Sequence, residues 1–141
     1  MAATAEQADK GRSIAQRLGF APGQAVLELG YDEDCDETLR EAIEALTGAE
    51  LTDDDEEAVD VVLLWWREDD GDLVDALVDA LVSLVGGGSI WLLTPKVGRP
   101  GYVDPADIAD AAPTAGLAST STLSASPDWA GSRLVAPKAR R

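Results

Sequence analysis

Three apolar runs of strand length are the feature that most constrains the fold of this chain. They span Ala25–Gly30, Val59–Trp66 and Ser89–Thr94, and each ends at a glycine, a charged turn or a proline. Runs of this length and composition predict strands that are buried on both faces, as in a parallel sheet. Two segments with helical spacing of apolar residues, 36–46 and 72–85, lie between them. This alternation predicts an α/β domain with helices on both faces of the sheet.

The remaining segments complete this arrangement. Residues 5–18 predict a helix before the first strand, 105–112 predict another after the third, and 49–52 predict a short additional strand. Segments 119–124 and 132–136 predict two strands joined through a turn that contains proline and glycine, which is the pattern of a hairpin. The expected fold is a three-layer, Rossmann-like and mostly parallel sheet with a C-terminal antiparallel hairpin.

The length and charge of the chain favour one acidic domain. We expect a single domain over residues 1–137 and a basic tail at 138–141, and a chain of 141 residues is long enough to bury a core. It has 27 acidic and 11 basic side chains, a formal charge of −16, and residues 28–79 hold 21 of the acidic side chains against two arginines. Binding of nucleic acid is not expected, because this charge would repel phosphates.

The chain has no histidine and a single cysteine, Cys35. Without an imidazole there is no Ser-His-Asp or Cys-His pair, and a zinc site of cysteine and histidine is excluded. Acidic residues surround Cys35 in sequence and oppose thiolate formation, so we expect a buried or inert thiol. A calcium-binding loop starting at Asp32 would need glycine and glutamate where Glu37 and Ile43 stand, so no metal site is predicted.

Nothing in the sequence predicts a membrane protein. No apolar stretch reaches the roughly 18 to 20 residues that a membrane span needs. The first residues also lack the apolar core of a secretory signal. We therefore expect a cytoplasmic protein.

Several stretches together resemble a known enzyme family. Leu18–Gly30 contains a Leu-Gly-x-x-Pro-Gly turn and then a strand that ends in acid-x-Gly, which resembles the entry into class I S-adenosylmethionine-dependent methyltransferases. Residues 60–66 resemble the fourth strand of that family, and 81–96 resemble its next helix, glycine turn and fifth strand. The C-terminal hairpin is similar to the antiparallel pair that closes such sheets. The whole chain also resembles a small uncharacterised bacterial family of unknown function.

The resemblance implies a cofactor site beyond the carboxyl ends of the strands. The cofactor-binding candidates there are Glu28, Gly30, Asp32 and Trp66. Family members continue with glycines after the acid-x-Gly pattern, whereas Asp32 and Asp34 stand at the next two glycine positions of this chain. Their side chains and negative charges take up the space that a closely approaching cofactor needs.

The sequence therefore favours a non-catalytic acidic module with a binding or regulatory role, which acts through protein contacts and uses no cofactor. No catalytic residue is predicted. The alternative is an enzyme or sensor that binds a nucleoside or S-adenosylmethionine at the carboxyl ends of the strands. Tyr31, Arg67 and Lys96 are expected at the same strand ends and would line such a site.

Two segments are candidate contact surfaces. In residues 72–85, apolar side chains cover most of the helical wheel, and only two aspartates and a serine form a narrow polar face before Gly86–Gly88 stops the helix. This arc exceeds the roughly 100° that suffices for a surface helix, so it predicts packing against the N-terminal helix, a homodimer or a partner. The second candidate is the acidic turn 53–57, which would attract a basic partner.

Overall fold

A computed structural model describes residues 14–51 and 58–136 of the chain. Its centre is a sheet of five strands: β1 Val26–Leu29, β2 Val59–Trp65, β3 Leu84–Pro95, β4 Ala118–Ser124 and β5 Trp129–Val135. The strands lie in the order β1-β2-β3-β5-β4. β1, β2 and β3 are parallel, and β5 runs antiparallel to both β3 and β4. The prediction of a mostly parallel sheet that closes with an antiparallel hairpin is confirmed.

Helices cover both faces of this sheet. They are α1 Glu37–Thr47, α2 Leu73–Val82 and α3 Pro105–Thr114, and residues 14–17 are also helical. α1 and the helical residues 14–17 share one apolar core with the sheet, and α2 and α3 share a second core on the other face. The predicted three layers are therefore present. Within residues 14–51 and 58–136, no helix is long and apolar enough to cross a bilayer.

Aspartates cap the start of all three helices, with Asp104 accepting the backbone N–H of Ala106 at 2.9 Å at the start of α3. Asp36 accepts the backbone N–H of Leu39 at 2.8 Å at the start of α1, and Asp72 accepts that of Val74 at 2.9 Å at the start of α2. Aspartate is a favoured N-cap because its carboxylate pairs with an amide that the helix leaves unpaired. α1 ends at Gly48, whose φ of 84° lies in the left-handed region that glycine adopts without strain. Part of the negative charge of the chain thus serves to start helices.

The glycine run Gly86–Gly88 lies inside β3 and does not stop a helix as predicted. α2 ends earlier, at Val82, and β3 already begins at Leu84. A Cβ at Gly88 would lie 2.6 Å from the carbonyl oxygen of Asp60 on β2, so the pairing of the two strands requires glycine at this point. The expected end of the helix and the expected start of the strand are therefore wrong.

β5 also begins earlier than predicted, at Trp129 instead of Ser132. Trp129 is buried against Trp65, with ring centroids 4.9 Å apart, and this contact holds the segment to the sheet. At the next inward position, a Cβ on Gly131 would lie 3.2 Å from the side chain of Leu93. Residues that suggest a turn in the sequence thus extend the strand, because the neighbouring strand supplies their contacts.

Four predicted segments lie wholly or partly outside the described residues. They are the first part of the N-terminal helix (5–13), residue 52 of the short strand, the acidic turn 53–57 and the basic tail 138–141. Residues 49–51 form no strand, contrary to the prediction. The backbone N–H of Leu51 donates instead to the carboxylate of Glu44 on α1, at 2.9 Å, which ties this segment to the helix.

α2 buries fewer of its apolar residues than the predicted wide arc suggests. Leu77 and Ala80 are fully buried, whereas Val78 and Val82 are 44% and 82% exposed. Ser83, expected on the polar face, is buried. The contact predicted for this helix stays a prediction, and the two exposed valines are the residues that such a contact would cover.

Candidate functional site

A buried ion pair holds the end of β1 to its neighbours. Glu28 is 5% exposed, and its carboxylate accepts two hydrogen bonds from the guanidinium of Arg40 on α1, at 2.6 and 2.7 Å. The indole N–H of Trp65 on β2 donates a third, at 2.9 Å. A bidentate arginine and an indole donor together satisfy a carboxylate that burial would otherwise destabilise. Glu28 thus joins β1, β2 and α1.

Arg40 also positions the start of the loop that follows β1. Its guanidinium lies 4.1 Å from the ring centroid of Tyr31, and its Nη1 donates to the carboxylate of Glu37 at 2.8 Å. The hydroxyl of Tyr31 donates to the same carboxylate. This hydrogen bond is the main reason why the pKa of Tyr31 is raised and the pKa of Glu37 is lowered. The first side chain of the loop is thus fastened to α1.

Gly30 brings the backbone of this loop against the end of β2. Its φ of 81° lies in the left-handed region, and a Cβ at this position would lie 2.2 Å from the carbonyl oxygen of Trp65. A residue with a side chain could not adopt this geometry without strain. A contact between two parts of the protein itself therefore requires glycine here.

The middle of the loop is fastened to the end of β2 by three groups that we call the Arg67 latch: Arg67, the carboxylate of Asp34 and the carbonyl of Gly30. The guanidinium donates to Asp34 from Nε at 3.0 Å and from Nη2 at 2.5 Å, and Nη1 donates to the Gly30 oxygen at 2.8 Å. The hydrogen bonds with Asp34 are the main reason why the pKa of Arg67 is raised and the pKa of Asp34 is lowered. Both charges of the latch are thus already partnered within the protein.

Trp129 covers the latch from the side of the hairpin. The guanidinium carbon of Arg67 lies 5.2 Å from its ring centroid, within the range of a cation–π interaction. Its indole N–H donates to the backbone carbonyl of Asp34 at 3.1 Å. The latch therefore joins the ends of β1 and β2 to β5.

Cys35 lies beside the latch as a buried free thiol, as predicted. Burial raises its pKa to about 11, although the nearby Arg67, with Nη2 3.4 Å from the sulfur, acts in the opposite direction. Burial, more than the acidic neighbours expected from the sequence, is the main cause. A thiol with such a pKa is a poor nucleophile at neutral pH.

The lowered pKa of Asp34 predicts that the latch weakens in acid. A carboxyl group whose pKa in the folded protein lies below its usual value of 3.8 contributes stability above that value, and loses this contribution as the pH falls through the folded pKa. We expect Asp34→Asn to lower the free energy of unfolding at about pH 7, and to lower it less at an acidic pH below the folded pKa of Asp34. Urea unfolding measures both values, with the exposed Asp75→Asn as control. An equal loss at both pH values would contradict this prediction.

A cavity of about 410 Å³ opens beside the latch, between the strand ends and α2, and we call it the loop cavity. Three of the four cofactor-binding candidates, Gly30, Asp32 and Trp66, line it together with Tyr31 and Arg67. The fourth candidate does not, since the carboxylate of Glu28 lies in the buried ion pair. The volume is within the range of cavities that hold small organic molecules.

A second cavity, of about 440 Å³, lies next to the first, and we call it the helix cavity. Trp66 lines both cavities, and Glu68 and Asp107 line only the second. Lys96 was expected to line a site at these strand ends, but it lines neither cavity. Its Nζ donates instead to the hydroxyl of Ser124 at 2.5 Å. The strand ends thus carry two clefts with an aromatic wall and carboxylates.

Sequence reasoning missed several residues of this region, among them Trp129, which covers the latch. Arg40 was not expected to hold Glu28, although it is the only basic residue between positions 28 and 66 and so the nearest partner for a buried acid. Asp70 and Asp79 were not expected to line the loop cavity. Asp79 lies one turn after Ala76 on α2, and both residues line this cavity, but no sequence signal placed either of them there.

The groups at these strand ends are suited to binding. The loop cavity offers the carboxylates of Asp32, Asp70 and Asp79 and the indole surface of Trp66. Such groups accept hydrogen bonds from hydroxyls and amines and pack against flat rings. Within residues 14–51 and 58–136, no group of three or more acidic or cysteine side chains is arranged to hold a metal ion.

The sheet, its helices and its closing hairpin define a methyltransferase-like fold. A methyltransferase from Aquifex aeolicus that depends on S-adenosylmethionine has a TM-score of 0.61 at 12% identity, covering 88% of this chain and 88% of that one. The CcbJ methyltransferase from Streptomyces caelestis has a TM-score of 0.57 at 15% identity, covering 91% of this chain and 95% of that one. At such identities the likeness shows the fold alone. It confirms the methyltransferase-like sheet predicted from the sequence.

Sequence similarity shows the family. Residues 15–138 match the family described as "Protein of unknown function (DUF3052)". Uncharacterised proteins of Mycobacterium tuberculosis and Mycobacterium bovis are 52% identical to this chain over 138 residues, which cover 97% of this chain and 87% of theirs. This chain therefore belongs to the DUF3052 family, and the resemblance to a bacterial family of unknown function is confirmed.

Proposed function

We propose that this protein is a non-catalytic acidic binding module of the cytoplasm, which has a methyltransferase-like sheet and acts through contact with a basic protein partner. The observation that carries the proposal is the Arg67 latch. It fills the loop after β1 with ion pairs and hydrogen bonds of the protein itself.

The latch supports a role without a cofactor. The resemblance to methyltransferases implies a loop of glycines, so that the backbone after β1 can approach a cofactor closely. In this chain Arg67 contacts the carbonyl of Gly30 and the carboxylate of Asp34. Trp129 packs against Arg67 and donates a hydrogen bond to the backbone of Asp34. In this chain, the group that lies close to the backbone of Gly30 is the carbonyl of Trp65. The residues after β1 therefore do not fit a cofactor held in the manner of the family.

The exposed carboxylates support contact with a basic partner. Glu68 and Asp69 in the turn after β2 and Asp75 on α2 are all exposed, and we call these three residues the acidic ridge. In a chain with a net charge of −16, they belong to a negative field that attracts basic surfaces and speeds association. Glu68 of the ridge lines the helix cavity, where a partner could also place side chains.

Capture of partners from a native lysate tests the proposed contact. The ridge variant Glu68→Gln/Asp69→Asn/Asp75→Asn should lose the partners that the wild type captures. The control variant Glu41→Gln/Glu50→Gln/Asp110→Asn removes the same charge from exposed positions elsewhere and should keep them. A third variant with the turn 53–57 neutralised tests the other acidic segment. Equal loss from the ridge and control variants would mean non-specific attraction and would contradict the proposal.

Calorimetry with S-adenosylmethionine and adenosine tests the cofactor-free part of the proposal. We expect no saturable binding tighter than about 1 mM, which corresponds to about 4 kcal/mol of binding free energy. Tight binding of either compound to the wild type would overturn this part.

The loop cavity supports a second candidate function, an enzyme or sensor for a nucleoside-type ligand such as S-adenosylmethionine. It lies beyond the carboxyl ends of β1 and β2, where open α/β sheets bind their ligands. The indole of Trp66 could pack against a flat base, and the carboxylates of Asp32 and Asp79 could accept hydrogen bonds from hydroxyls or amines.

A thermal-shift screen of nucleosides and metabolites tests this second candidate. For any ligand found, Asp79→Ala in the loop cavity should weaken binding by about tenfold or more, because it removes a hydrogen bond to a charged group. Asp107→Ala makes the same change in the helix cavity and should leave the affinity unchanged. If both variants bind like the wild type, the ligand does not use the loop cavity.

A further inference from the structure

β4 is an edge of the sheet and is exposed on both of its faces. It pairs with β5 on its inner side, and none of the strands in the described part of the chain pairs with its outer side. Six of its seven residues are exposed, and the other, Leu123, is only partly buried. One ladder of backbone hydrogen bonds therefore holds this strand, with little help from burial.

Apart from one register shift between Ser119 and Ser121, β4 lacks the features that normally prevent edge strands from pairing with other chains. The strand reads Ala-Ser-Thr-Ser-Thr-Leu-Ser and has no charged residue, no proline and no glycine. Natural proteins protect exposed edges with lysine, proline or short strands, because unpaired backbone N–H and C=O groups invite pairing with another strand. The register shift between Ser119 and Ser121 leaves residues 121–124 regular. This length of backbone is open to a further strand.

The distribution of charge favours this edge for contact between copies of the chain. Residues 28–79, which include the end of β1 at the other edge, carry 21 acidic and two basic side chains. Two copies that met through that region would bring like charges together. Residues 84–136, which include β4 and β5, carry four acidic and three basic side chains and are nearly neutral. Two chains of charge −16 therefore meet with least repulsion at the β4 edge.

We propose that two copies of this chain pair through the outer sides of β4, antiparallel about a twofold axis, and so form one continuous sheet. An identical strand that pairs with itself in this way makes a closed, isologous dimer. Inter-chain hydrogen bonds would satisfy the open backbone groups of residues 121–124. The exposed hydroxyls of Ser121 and Thr122 would lie beside residues of the second copy, and favourable cross-strand pairs of hydroxyls are common in sheets. The hydroxyl of Ser124 is already bonded to Lys96 within its own chain.

Light scattering over a concentration series, combined with charge variants of β4, tests the dimer. The wild type should reach twice the chain mass of 14.8 kDa as its concentration rises. Thr122 is exposed and lies opposite Ser132 of its own chain, so Thr122→Lys and Thr122→Glu introduce charge without opposing a charge on β5. Each variant places like charges on both sides of the twofold axis and should weaken the dimer by about tenfold or more. An equimolar mixture of the two variants should dimerise again, because the charges are then opposite.

Salt and a helix variant provide controls. The dimer should strengthen as salt is raised, because screening reduces repulsion between two acidic chains while the proposed contact itself is uncharged. Val82→Lys changes the most exposed apolar residue of α2 and should leave the dimer intact. Circular dichroism melting checks that every variant is folded.

Two results would overturn the proposal. One is a wild type that stays monomeric over the whole concentration and salt series. The other is a dimer that Val82→Lys dissociates and the Thr122 variants do not, which would indicate an interface on α2.

Discussion

Gly30→Ala is expected to lower the free energy of unfolding by about 3–5 kcal/mol, which is at the upper end of the effects of single substitutions. The new Cβ would lie 2.2 Å from the carbonyl oxygen of Trp65, a contact that only a shift of β1 relative to β2 could relieve. The left-handed φ of 81° adds roughly 1–2 kcal/mol of strain for a residue with a side chain. Urea unfolding at neutral pH measures the effect.

Gly23→Ala is the matched control for this substitution. Gly23 has a similar φ of 87°, but a Cβ there would have no other heavy atom within 4 Å. Only the conformational strain remains, so we expect a loss of about 1 kcal/mol. Equal losses for the two variants would show that the contact with Trp65 is not what requires Gly30. The expected loss also means that a bulky residue at position 30 is unsuitable for testing ligand binding, because the fold would be damaged first.

Arg40→Met is expected to cost about 3 kcal/mol, because it leaves the carboxylate of Glu28 buried without its cation. The Glu28 side chain is 6% exposed and that of Arg40 is 19% exposed, so water cannot fully replace the lost partner. The indole N–H of Trp65 remains as a donor, but one neutral hydrogen bond does not compensate for a buried charge. Chemical unfolding of the variant and the wild type gives the difference.

A double-mutant cycle separates this loss from other effects of the substitution. Glu28→Gln combined with Arg40→Met removes both charges, so the double variant should lose at least about 1 kcal/mol less than the sum of the single variants. Arg99→Met is the control, since Arg99 pairs with Asp128 at 3.5 Å and both side chains are about half exposed. It should cost less than about 1 kcal/mol, as surface ion pairs usually do. Additive losses in the cycle would rule out a coupled pair.

The elements that bury apolar residues on both faces were predictable from the sequence. β2 was expected at 59–66 and is found at Val59–Trp65, because a run of seven residues that are nearly all apolar, with β-branched residues at its start, is typical of a strand covered on both faces. α1 was expected near 36–46. Both signals for this helix, the helical spacing of its apolar residues and the N-cap Asp36, lie within one short segment of the sequence. Such local signals are strong enough to place strands and helices.

Features that depend on contacts between distant segments were not predictable in this way. The position of Trp129 is set by Trp65 and Arg67, which lie more than 60 residues away in the sequence. A glycine run suggests a helix end, but Gly88 lies in β3, where a side chain would collide with the backbone carbonyl of Asp60 on β2. The same limit applies to the candidate site: its place at the strand ends was predicted, whereas the latch required knowledge of which side chains meet.

Glu28 and Gly30 both contact other residues of the protein, so the acid-x-Gly pattern that they form is not by itself evidence of a cofactor site. The carboxylate completes a buried ion pair and the glycine lets two strand ends touch, so selection for stability alone would maintain both residue types. A sequence search that infers a cofactor site from these two positions would mistake residues needed for stability for residues needed to bind a ligand. The informative positions lie further along the loop. Asp32 lines the loop cavity, and Asp34 pairs with Arg67 at a position where members of the methyltransferase family carry glycine.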